Sequence, residues 1–163
     1  MNIRARIATG LVFTGILTSL SLAAQPGPVP YPEGYRAWRH VKSMVIGAGH
    51  PLYASFGGIH HLYANAAAIK GYKTGTFSDG AVIVFDLLEA TSAEGATTEG
   101  ARKVLGVMHR DTKRYAATGG WGFEGFAGDS KTKRAVGDQA ATACFACHTA
   151  QAQHSYVFSS YRE

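Results

Sequence analysis

Ser78-Asp79-Gly80-Ala81-Val82-Ile83-Val84-Phe85-Asp86-Leu87-Leu88 decides the fold. A Ser-Asp-Gly turn leads into four β-branched or aromatic residues in a row, the strongest strand signal in the chain. Downstream, Thr91 to Gly100 reads as a polar, small-residue loop. Arg102 to Met108 alternates towards a further strand. Gly119 to Phe126 alternates glycine or charge with aromatic rings, as a strand with one crowded face does. Upstream, Asn65 is placed to cap a short helix over Ala66 to Tyr72. Ile59 to Tyr63 and Val41 to Ile46 read as strands, the latter ended by Gly47-Ala48-Gly49. Pro32-Glu33 suits a short helix start, with Tyr35 and Trp38 in its first turns. Near the end, Asp138 is placed to cap a helix over Gln139 to Gln151, and Tyr156-Val157-Phe158 reads as a short last strand. No internal repeat is visible. The class expected is α+β, a predominantly antiparallel β-sheet with short flanking helices and one helix near the C-terminus.

Composition agrees with one folded domain. The chain has 163 residues, 46% hydrophobic and 17% charged, with 20 glycines. This excludes a disordered or fibrous chain. Arg4 and Arg6 precede an apolar, uncharged run from Ile7 to Leu22, and Ser21-Leu22-Ala23-Ala24 offers small residues for cleavage. Residues 1–24 are therefore expected to be a secretory signal peptide, 25–32 an extended leader and 33–163 the domain itself. The apolar run is shorter than the roughly 20 residues a membrane span requires. The periplasm is the compartment expected, with no membrane association after cleavage. Removing Arg4 and Arg6 leaves fourteen basic against eleven acidic side chains, a net charge of +3. With no basic run, nucleic acid is not an expected partner.

Both cysteines lie in Cys144-Phe145-Ala146-Cys147-His148. C-x-x-C-H is the attachment signal for c-type haem. On a helix, thiols three residues apart share one face and can add to the two vinyl groups of one porphyrin. His148 then projects towards the iron, and a proximal imidazole is the ordinary axial ligand. A thioredoxin-type disulfide normally sits near the N-terminus, at a helix start after a strand. A zinc site would need a second cysteine pair. One covalently attached haem c, with His148 as the metal ligand, is the cofactor expected.

The sixth iron position decides function. Electron-transfer cytochromes often fill it with methionine. Beyond the signal only Met44 and Met108 remain, both in apolar strands where methionine packs into the core. His60 and His61 are adjacent on a strand and point to opposite faces, so at most one reaches a haem. A hydrogen-bonded structural histidine is the reading favoured for both. His40, His50, His109 and His154 carry no spacing signal. The iron is therefore expected to be five-coordinate and open to a small gas. Arg102, Lys103 and Arg110 are candidates to pair with haem propionates. Trp121, Phe123 and Phe126 read as haem walls or as core, and Glu124 as a distal acid/base group or, in preference, an acid that faces solvent or pairs with a base.

Tyr31-Pro32-Glu33-Gly34-Tyr35-Arg36, His40-Val41-Lys42-Ser43-Met44, Phe56-Gly57-Gly58-Ile59-His60-His61 and Gly75-Thr76-Phe77-Ser78-Asp79-Gly80 resemble the cytochrome P-460 superfamily. So do Gly119-Gly120-Trp121-Gly122-Phe123 and the terminal haem motif. The resemblance covers essentially the whole chain beyond the signal. Cytochrome P-460 proper oxidises hydroxylamine or nitric oxide and carries a lysine bonded to the porphyrin. The cytochrome c′-beta branch lacks that link and binds nitric oxide and carbon monoxide under two phenylalanines. Phe85 stands on the strand where the cross-linking lysine would be, and Phe56 is the other capping ring, so the resemblance points to the c′-beta branch. Phenylalanine donates no hydrogen bond, which bound dioxygen wants and nitric oxide needs much less. The resemblance also implies a homodimer. Two rivals remain, a hydroxylamine or nitric oxide oxidase with a haem-bound lysine, for which Lys73 and Lys103 are the lysines at issue, and a six-coordinate electron carrier. The expected role is gas binding rather than catalysis; a redox partner is not identifiable from the residues.

Overall fold

The computed structural model describes residues 27–163. The expected signal peptide and the first two leader residues lie outside the described residues. Five strands form one antiparallel sheet in simple chain order, β1 (Arg39–Ile46), β2 (Gly58–Ala64), β3 (Val82–Ala93), β4 (Ala96–Arg110) and β5 (Trp121–Ala127). Every neighbour pair is antiparallel; β3 and β4 join in a tight hairpin, and a short helix lies in the connection on each side of β2. Short helices flank the sheet, α1 (Tyr53–Phe56), α2 (Ala66–Thr74) and α3 (Ala146–His148). The α+β class read from the sequence is the class found.

Side chains alternate across the sheet and divide the core in two. One face carries Ala64, Ile83, Trp121 and Phe123, packed against Ala68 of α2 and Val157 near the C-terminus. The other carries Val84, Leu105, Val107 and Phe126, packed against Val29, Tyr35 and Tyr115. The first face is thus covered by α2 and the C-terminal segment, the second by the N-terminal segment and the β4–β5 connection. Asn65 caps α2 as expected, its side chain accepting from the Ala68 amide at 2.9 Å.

Three local expectations are corrected. Thr91 to Gly100 is not a loop, since β3 and β4 run on as a paired ribbon to a turn at Glu94-Gly95, with Thr91 opposite Thr98 and Ser92 opposite Thr97. Asp138 caps nothing; it lies inside a short 3-10 turn, Gly137–Gln139, that runs into a π-helical turn, Ala140–Phe145. That turn continues through α3 into a 3-10 segment, Thr149–His154. Tyr156 to Phe158 is irregular rather than a strand, because left-handed backbone at Ser155 and Tyr156 turns the chain there.

Candidate functional site

The π-helical turn delivers Cys144, and α3 delivers Cys147 and His148. Both thiols are free, Cys144 half-buried and Cys147 exposed. Burial pushes the Cys144 thiol above its ordinary range, with Glu124 and Cys147 adding to the effect, so it stands protonated at neutral pH. His148 Nδ1 lies 2.7 Å from the Tyr156 carbonyl. A carbonyl only accepts, so Nδ1 carries the proton and Nε2 keeps its lone pair. Burial lowers the imidazole pKa against the raising effect of that bond, which holds the ring neutral. Phe123 packs at 4.9 Å and Phe158 at 5.1 Å between ring centroids, so His148 is flanked by two aromatic rings.

The Tyr156 carbonyl is aimed by strained backbone. Ser155 has φ 55° and Tyr156 φ 65°, a region that non-glycine residues rarely adopt. The Trp121 indole holds that turn by donating to the Ser155 carbonyl at 2.8 Å. The turn also needs Gly119, where a Cβ would fall 2.5 Å from the Tyr156 ring.

Phe56 and Phe85 come together. Phe56 ends α1 and is 39% exposed; Phe85 lies mid-β3. Their rings meet edge to face, 5.9 Å apart at 88°. Phe85 also packs at 4.6 Å against His60, which is only 3% exposed. Gly106 stands opposite Phe85 on β4, and a Cβ there would come within 3.3 Å of the Phe85 ring. By strand alternation Phe85 and Phe123 point to the same face of the sheet. They are two strands and two residues apart, a Cα separation of about 12 Å at ordinary strand spacings. The imidazole and the paired phenylalanines therefore stand on one side of the sheet, with Ile83 and Met108 of the same face between them. Two free thiols, one imidazole nitrogen with its lone pair and an apolar aromatic surround fit a covalently held haem. Among the described residues no group of three or more His, Cys, Asp or Glu is arranged to hold a metal ion unaided.

The remaining charged candidates already have protein partners. Arg102 pairs with Asp86 at 2.6 Å and with Asp129, on the opposite face. Lys103 donates to the Gly57 carbonyl at 2.7 Å, Lys73 pairs with Glu163, and Arg110 donates to the Gly119 carbonyl. Glu124 does not face solvent, being 5% exposed, but pairs with a base as the other half of that reading has it, Arg134 at 2.8 Å, on the face opposite Phe123. Phe126 belongs to the other core and Trp121 to the base of the C-terminal turn. Met44 is no core residue, since it lies 49% exposed on the edge strand, whereas Met108 packs as expected. His60 and His61 do diverge. His61 bonds Ser43 at 2.6 Å and Glu99 at 2.5 Å, whereas His60 is buried with no partner for Nδ1 among the described residues. The structural, hydrogen-bonded reading thus holds for His61 and fails for His60. The Tyr156 carbonyl and Phe158 were not foreseen, because irregular backbone after a helix leaves no periodic signal.

No curated protein matches the chain. The profile of the cytochrome P460 family matches residues 32–159, which takes in all five strands, both phenylalanines and the Cys-x-x-Cys-His segment. With a match over that much of its length, the chain belongs to the cytochrome P460 family and is a haem-binding cytochrome.

Proposed function

We propose that the protein is an exported mono-haem c-type cytochrome of the c′-beta kind, which binds nitric oxide and carbon monoxide reversibly at a five-coordinate iron. The reading is carried by the edge-to-face pair of Phe56 and Phe85, on the sheet face that also carries the ring of His148. The haem, when bound, supplies an iron with one open position for a diatomic gas.

Cys144 and Cys147 would hold the macrocycle, each thiol adding across one vinyl group with its hydrogen passing to the neighbouring vinyl carbon. His148 would ligate through Nε2, because the Tyr156 carbonyl occupies Nδ1. Such a second bond fixes tautomer and ring orientation and raises ligand basicity. Phe123 and Phe158 restrict rotation of that ring. Phe56 and Phe85 would exclude water and make an incoming gas displace a side chain. Export to the periplasm rests on Arg4, Arg6 and the apolar run to Leu22, and the homodimer rests on the resemblance.

Optical spectra of the purified holoprotein, ferric and dithionite-reduced, test the reading. A high-spin reduced spectrum of ordinary haem c that changes on adding nitric oxide is expected. A red-shifted reduced Soret band would mean a lysine cross-link and an oxidase. Sharp low-spin bands indifferent to nitric oxide would mean a saturated iron and an electron carrier.

A further inference from the structure

His60 is 3% exposed, and among the described residues no group hydrogen-bonds its Nδ1. A buried polar atom left unpaired costs about 1–3 kcal/mol, so its place in the fold needs a cause. A leucine would fill the same space without that cost. The adjacent His61 shows that the local backbone does not prevent pairing, since both its ring nitrogens have partners. What separates the two is the face of the sheet. His61 points away from the paired phenylalanines, and His60 points into them.

We propose that His60 is the polar group of the distal pocket, and that its imidazole N–H donates to a ligand at the sixth iron position when Phe85 turns aside. The proposal rests on Phe56 and Phe85 being the distal cap. His60 sits diagonally across β2 and β3 from Phe85, with ring centroids 4.6 Å apart. Phe85 is therefore the ring that covers it. Phe85 is half-buried and faces Gly106, which has no side chain to pin it, and its other aromatic neighbour Phe56 is itself 39% exposed. Burial keeps His60 neutral, so it offers one N–H and no charge. The closed pocket then shows a ligand only hydrocarbon, and the open pocket adds one donor. That arrangement extends the ligand class from nitric oxide and carbon monoxide to small hydrogen-bond acceptors such as azide, cyanide or nitrite on ferric iron.

The test uses azide on the ferric holoprotein and carbon monoxide on the ferrous one. His60→Phe removes the donor and His60→Asn keeps one. His60→Phe is expected to weaken azide about tenfold, the worth of one ordinary hydrogen bond, and to leave carbon monoxide within about twofold. His60→Asn is expected to keep most of the azide affinity. In the unsubstituted protein the azide vibrational band should shift between H₂O and D₂O. Equal losses in both variants, no loss in His60→Phe, or a band indifferent to D₂O each overturn the proposal. If the variants do not fold, the isotope shift alone decides. Phe85→Ala checks the cap separately, since a cap predicts about tenfold or more faster carbon monoxide association. An unchanged rate there refutes the cap and leaves the isotope shift to judge His60.

Discussion

Phe85 and Asp86 are consecutive on β3 and serve opposite faces of one sheet. Asp86 is fully buried, yet its carboxylate accepts from the Tyr35 hydroxyl at 2.6 Å, Arg102 Nε at 2.6 Å and Arg36 at 3.2 Å. On that face Glu124, also buried, accepts from Arg134 and from the amides of Gly125, Val136 and Gly137. Phe85 borders the exposed ring of Phe56 and the imidazole of His60, whose Nδ1 has no partner among the described residues, and the same face carries two free cysteines and the exposed ring of Phe158. The face of Asp86 buries its carboxylates fully paired and leaves only His109 Nδ1 without a partner among the described residues, whereas that of Phe85 is the more open. Strand alternation lets neighbouring residues carry stability and function without sharing contacts, so substitutions should divide in the same way.

The largest effect should come from Asp86→Ala. It leaves the Arg102 guanidinium, 12% exposed, without its main partner. Removing one member of a buried pair costs about 3–5 kcal/mol, to be read by urea or thermal unfolding of the holoprotein. Carbon monoxide affinity of the folded protein should stay within about twofold. A loss under about 1 kcal/mol would break the contrast between the faces.

Tyr35 comes next. Burial, and then its bond to Asp86, pushes the phenol up to about 12. The folded state thus holds the proton more tightly than the unfolded one, whose phenol keeps the ordinary value near 10. Its contribution is complete below pH 10 and is lost as pH rises from 10 towards 12, about 3 kcal/mol over that window. Tyr35→Phe should flatten the unfolding free energy across it. Glu124 gives the acid counterpart and a smaller effect. Burial alone would raise its carboxyl, but Arg134 and three backbone amides outweigh it, so the net pKa is lowered. The contribution is present above the ordinary glutamate value of 4.5 and is lost as pH falls below it. Glu124→Gln should remove that part of the acid loss, measured as unfolding midpoints from pH 6 to pH 3.

The closed face was largely legible in the sequence and the open one only in part. Val82 to Leu88 announced a strand because its residues suit a pleated, buried surface. Cys144, Cys147 and His148 were legible because attachment chemistry fixes their spacing. Thr91 to Gly100 reads as a loop because that part of the ribbon is solvated on both sides, and a strand with no buried face shows no alternation of polarity. The divergence of His60 and His61 followed from the period of two. Which of them faced inward depended on β1 and β3 beside them, through the pairs with Met44 and Leu87, and those pairs are tertiary. The π-helical turn and the left-handed Ser155 and Tyr156 are held by Trp121 and Gly119 from β5 and its approach, contacts about thirty-five residues apart that no local window contains.

Phe158→Ala should give the smallest change in stability and the clearest separation of the faces. The ring is 59% exposed, so truncation removes little buried apolar surface and should shift the unfolding free energy by less than about 1 kcal/mol. The same ring meets the His148 imidazole edge-on at 5.1 Å. Without it Phe123 flanks the imidazole from one side only, and the bond from Nδ1 to the Tyr156 carbonyl alone fixes rotation. The iron–imidazole stretching band of the reduced holoprotein should therefore broaden or shift, with the unfolding midpoint almost unchanged. If the midpoint falls as far as for a core truncation, about 2 kcal/mol or more, the ring is packing and this face is less open than it looks. If neither quantity moves, Phe158 has no part in holding the imidazole, and Phe123 with the Tyr156 carbonyl suffices.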